Sequence, residues 1–83
     1  MIKANIFVTL KKGVLDPQGE AVSRSLEVLG YHRVEDVRIG KFIEIVLDSE
    51  DPEEARRQLE EMSDKLLANP VIEDFRVEIV EGE

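Results

Sequence analysis

Cysteine is missing from the 83 residues of this chain. That excludes a disulfide framework, thiolate metal ligands and a cysteine nucleophile. Tryptophan is missing too, histidine occurs once, and aromatic residues make up 5% of the chain. The single His32 has no second imidazole for a zinc site and no Ser or Cys close in sequence to activate, so it reads as a surface residue at a helix end. Positive charge is scarce: eleven Lys and Arg face nineteen Asp and Glu, for a net charge of −8. Nucleic acid is therefore a poor partner, because counterion release needs a basic surface. No apolar run approaches the eighteen residues of a membrane span. The start, Met1 to Asn5, lacks the basic and apolar regions of a secretory signal. With cysteine absent as well, the expected location is the cytoplasm.

What is present is a 42% hydrophobic, 36% charged chain. The expectation is a single domain over residues 1–83 with one core between two layers. At this length about 60% of the unfolded surface can be buried. Charge is divided unevenly. Residues 1–47 hold seven Lys/Arg and six Asp/Glu, and residues 48–83 hold four and thirteen. The second part is either a solvated acidic face or one that meets a basic partner.

Ile2, Ala4, Ile6, Val8 and Leu10 alternate with other residues over nine positions, the period of a strand with one buried face. Lys11-Lys12-Gly13 ends it. Asp16-Pro17 opens a helix as N-cap and first helical residue, with Val22, Leu26 and Leu29 on one face and Gly30 at the left-handed stop. Gly19 in the first turn costs about 1 kcal/mol relative to Ala, which fits either a closely approached backbone or tolerance near a helix end. Val34–Ile39 and Lys41–Leu47 read as two strands joined by a tight hairpin at Gly40. Asp51-Pro52 repeats the helix opening, with Glu54 at capping-box spacing. Ala55, Leu59, Met62 and Leu66 form the buried stripe, and Asn69-Pro70 stops it. Residues 71–80 make a last strand, and Glu81-Gly82-Glu83 a short frayed end.

The order βαββαβ predicts an α+β ferredoxin-like plait: a four-stranded antiparallel sheet with both helices on one face. The opposite face then carries Phe7, Phe42 and Val46, expensive groups to leave in water, which marks it as an oligomer or partner face. Gly40-Lys41 lacks the rest of a phosphate loop. Phe7 and Phe42 could stack bases as in an RNA-binding plait, but the acidic balance argues against it. A small-metabolite-binding regulatory plait is the alternative reading. Paired acids such as Glu35-Asp36, Glu60-Glu61 and Glu73-Asp74 point their side chains in different directions and suit solvent better than acid–base work. No catalytic, cofactor-binding or metal-ligating residue is expected.

Lys12-Gly13-Val14-Leu15-Asp16-Pro17-Gln18-Gly19, followed by Ala21-Val22, Leu29-Gly30-Tyr31, Val37-Arg38-Ile39-Gly40-Lys41 and Ile43-Glu44, resembles the PurS family, the small subunit of phosphoribosylformylglycinamidine synthase. The resemblance covers most of the chain and is densest from Lys12 to Ile45. It implies a part in the ATP- and glutamine-dependent amidation of formylglycinamide ribonucleotide in purine synthesis. In that family a large subunit uses ATP and Mg²⁺, a glutaminase subunit releases ammonia with its own cysteine, and PurS, as a homodimer or larger homo-oligomer, helps assemble the two without catalytic residues. It also implies Asp16, Pro17, Gln18, Gly19, Arg38, Gly40 and Lys41 as partner-interface positions. On this reading the small chain binds no cofactor itself.

Overall fold

A computed structural model describes residues 1–80; the expected frayed end at 81–83 lies outside the described residues. The elements are β1 (Ile2–Leu10), α1 (Pro17–Val28), β2 (Gly40–Leu47), α2 (Pro52–Met62) and β3 (Glu73–Val80), with a π-helical turn over Ser63–Leu67. The fold is α+β, with one antiparallel sheet in the order β2-β1-β3. Ile6 stands opposite Ile43 on one side and Val77 on the other. Even residues of β1 and odd residues of β2 and β3 thus share a face, and Ala4, Ile6 and Val8 lie at its buried centre.

Helix α2 covers half of that face. Asp51 accepts from the amides of Glu53 and Glu54, satisfying two orphan donors at the helix start. The reciprocal half of the capping box is not made: the Asp51 amide donates to Ser49 Oγ. Ala55 and Leu59 are fully buried against the sheet. Below them the expected stripe shifts. In a π-turn each revolution takes up an extra residue, so Leu67 joins the core and Leu66 is 82% exposed. Ser63, fully buried in this turn, donates Oγ to the Leu59 carbonyl at 2.8 Å.

The other half of the plan is different. The four-stranded sheet and the hairpin at Gly40 are not formed: among the described residues three strands make the sheet, and residues 34–39 belong to none of them. Two features account for this. Gly40 does not adopt positive φ; among the described glycines only Gly13 and Gly30 do. The polar groups of 37–39 are also spent elsewhere, with the Ile39 amide donating to Asp16 Oδ2 at 2.7 Å. Nor does α1 lie on the sheet. It buries only Gly19, Leu29 is 72% exposed, and no α1 residue joins the core. Its end is well formed, however. Gly30 at φ 101° donates to Glu27 O and Tyr31 N to Leu26 O, the paired bonds of a Schellman stop. The molecule is accordingly long, 49 × 28 × 14 Å, with a radius of gyration of 16.1 Å; a compact chain of this length would have about 12 Å. Residues 17–39 form an arm, and Ile43, Ile45 and Leu47 beneath the vacated place are half-buried.

Candidate interaction site

The arm is held at its root by a clasp of motif residues. Asp16, a buried carboxylate, accepts from Gly19 N at 2.9 Å with Oδ1 and from Ile39 N with Oδ2. One side chain therefore caps α1 and pins the returning chain 23 residues later. The Gly19 amide lowers its pKa most, the Ile39 amide next, and the Arg38 charge adds to both. Pro17 occupies the first helical position, and Gln18 follows on the surface. Gly19 is needed because the Val37 carbonyl lies where a Cβ would stand. The close-approach explanation of this glycine therefore holds.

Arg38 closes the clasp from outside, donating to the carbonyls of Lys11 at 3.1 Å and Val14 at 2.9 Å. Gly40 lies against the Val8 carbonyl, where a Cβ would collide. Lys41 stretches over the core edge and donates to Leu67 O at 3.3 Å. A recess of about 290 Å³ opens between these residues, with Val8, Leu10 and Ile39 as its apolar walls and Gln18 and Lys41 among its polar ones. The structure thus brings all seven expected interface positions to one end of the sheet and gives several of them an internal task. Periodicity could not show the Arg38 staple or the two close approaches; the cost of Gly19 was the one signal available.

Phe7, Phe42 and Val46 share the opposite face, as their parity requires. The Phe7 and Phe42 rings lie 5.2 Å apart at 40°, and the Arg76 guanidinium sits 4.3 Å above Phe7. Lys3 and Glu44 form an ion pair beside them at 2.9 Å. Phe42 and Val46 are more than half exposed. His32 is exposed, and among the described residues no three His, Cys, Asp or Glu gather closely enough to hold a metal ion. No helix of the described residues is long and apolar enough to cross a membrane.

The family model of PurS, phosphoribosylformylglycinamidine (FGAM) synthase, matches residues 3–81. The chain belongs to the PurS family. It is 47% identical over 81 residues to the PurS subunit of phosphoribosylformylglycinamidine synthase from Bacillus subtilis, covering 98% of this chain and 95% of that one. PurS of Methanocaldococcus jannaschii, described as one of the subunits of formylglycinamide ribonucleotide amidotransferase, superposes with a TM-score of 0.89 at 42% identity over the full length of both chains. A chain of the PurLQS structure from Thermotoga maritima superposes at 0.87 with 32% identity, covering 95% of this chain and 96% of that one. Residues 17–39 are more than a quarter of the protein. A score of 0.89 over all of it requires the arm to project in the M. jannaschii protein as well.

Proposed function

We propose that this PurS chain works as a non-catalytic assembly subunit of phosphoribosylformylglycinamidine synthase, bridging the large synthetase subunit and the glutaminase subunit in the cytoplasm. Its likeness to a chain of the T. maritima PurLQS structure carries this reading. ATP and Mg²⁺ belong to the large subunit, and the glutaminase supplies the cysteine that this chain lacks. Ammonia released in one active site must reach the other before it protonates and dilutes. A domain that holds the two in register raises its effective concentration at the second site. The interface residues are those around the clasp: Asp16, Pro17, Gln18 and Gly19 at the start of α1, with Arg38, Gly40 and Lys41 beside them.

A second copy completes the molecule. Half of the core face, under β2, lacks a helix, and α1 has an apolar stripe without a sheet. An α1 from a partner copy satisfies both, and reciprocity closes the pair as a homodimer. Phe7, Phe42 and Val46 offer a second surface for higher oligomers. Reconstitution tests the whole reading: glutamine-dependent amidation should need all three subunits. Full activity of the other two without this chain would reject it.

A further inference from the structure

Two stretches of chain join the arm to the sheet, and each passes through a glycine. The outgoing stretch is residues 11–16, where Gly13 takes φ 87° with open space around it. The returning stretch is residues 38–40, where Gly40 enters β2. Lys11 goes with the sheet, because its amide donates to Ile72 O at 2.8 Å, next to β3. Arg38 goes with the arm. Its guanidinium donates to Lys11 O at 3.1 Å and to Val14 O at 2.9 Å. These two bonds span the hinge and hold the arm pointing away from its own sheet.

The arm carries what that sheet lacks. Thr9 pairs with Gly40 and Ile2 with Leu47, so β2 runs away from the hinge. Folded back from Asp16, α1 would run down the sheet over β2. Residues 34–39 would then return beside the free edge of β2 and meet it in a tight turn at Gly40. The lengths agree. Leu26 lies ten residues beyond Asp16, about 15 Å along a helix. Ile45 lies five residues beyond Gly40, about 17 Å along a strand. The stripe of α1 thus reaches the half-buried Ile43 and Ile45 at matching depth. An arm from a second copy makes the same contacts. The two arrangements share their packing and differ at the hinge. Closing on the same chain needs positive φ at Gly40, which it does not have here, and Arg38 freed from the outgoing loop.

We infer that residues 17–39 are an exchangeable element: the Arg38 latch holds them out for the β2 face of a second copy, and its release lets them close on their own β2 as a compact monomer. The inference rests on the proposed homodimer and names what keeps its arms exchanged. It also explains why a sequence patterned for a four-stranded plait leaves half of its core face bare. The latch biases a two-state element whose states bury the same groups.

The test places Leu26→Cys and Ile45→Cys together in the full chain, which has no other cysteine. After oxidation a non-reducing gel shows whether the bridge joins two chains or closes within one. The pair is read with the natural hinge, with Arg38→Ala, and with an Asn-Gly turn inserted between Ile39 and Gly40; thermal melts confirm folding. The natural hinge should give the two-chain band. Arg38→Ala should raise the one-chain fraction about tenfold, since it removes hydrogen bonds from a charged donor. The inserted turn should give the one-chain band. Without the cysteines, that variant should be a monomer in analytical ultracentrifugation, with a radius of gyration of about 12 Å by X-ray scattering instead of 16.1 Å. Two-chain bridges in every folded variant overturn the inference and leave the homodimer standing, as does a monomer that stays near 16.1 Å. If the inserted turn prevents folding, an unchanged one-chain fraction in Arg38→Ala is enough to overturn it. A natural hinge that bridges within one chain, or no bridge in any variant, removes the homodimer and the inference together.

Discussion

The two helices start from the same device and end in opposite situations. Asp16-Pro17 and Asp51-Pro52 both supply an extended N-cap aspartate and a proline in the first turn. Helix α2 then buries Ala55 and Leu59 completely, whereas α1 buries only Gly19. Local chemistry therefore starts and stops a helix without deciding where it packs. For α1 the clasp decides. Asp16, Gly19 and Arg38 fix residues 37–39 to the helix start, so the chain enters β2 from the root of the arm and not from a neighbouring strand.

The largest expected effect separates the helices by packing. Leu59→Ala should cost about 2–5 kcal/mol, because a fully buried leucine leaves both lost transfer energy and a cavity. On a domain of this size that lowers Tm by roughly 10 °C or more, readable in a calorimetric melt. Gly19→Ala should come next and carries an unusual sign. In an ordinary helix it would gain about 1 kcal/mol. Here the new methyl meets the Val37 carbonyl, and a net loss of about 1–3 kcal/mol is expected, with amide exchange accelerating at 37–41. A stabilised Gly19→Ala would show that the clasp is looser than drawn.

Leu29→Ser tests whether the bare α1 stripe is bare in solution. In an isolated protomer an exposed substitution stays within about 0.5 kcal/mol. In the proposed homodimer it should weaken association about tenfold, seen as a concentration-dependent shift toward the monomer mass in analytical ultracentrifugation.

How far the sequence reaches is shown by these same elements. Period two located β1 and its buried face, and cap residues located both helix starts and the Gly30 stop, because all of these are fixed within a few residues. The stripe Val22, Leu26, Leu29 announced an apolar face but could not say whose sheet receives it. Residues 34–39 have the apolar content of a strand, yet Asp16 offers the Ile39 amide a charged acceptor that a β2 partner strand cannot match. The π-turn at 63–67 likewise escaped periodicity, which assumes 3.6 residues per turn and so placed Leu66 inside. The motif positions were legible as a group; their mutual contacts depend on chain returns over more than twenty residues.

The smallest effect sharpens the comparison between the caps. Asp51→Ala should cost about 1 kcal/mol, an ordinary cap loss, while Asp16→Ala should cost more because it also frees the Ile39 amide. The two can be told apart by acid. Asp16 is held below its ordinary value of 3.8 chiefly by the Gly19 amide and then by that of Ile39. A depressed folded pKa means that the folded state binds its proton more weakly than the unfolded chain does. Its contribution to stability is therefore complete above 3.8 and is lost as pH falls through the depressed value. The stability gap between wild type and Asp16→Asn should stay flat from pH 7 to the upper edge of the carboxylate range and close below it. In an NMR titration the Gly19 and Ile39 amides should move together with the Asp16 carboxyl, below 3.8. Amides that titrate separately would mean that one carboxylate does not serve both, and the arm would lose its stated anchor.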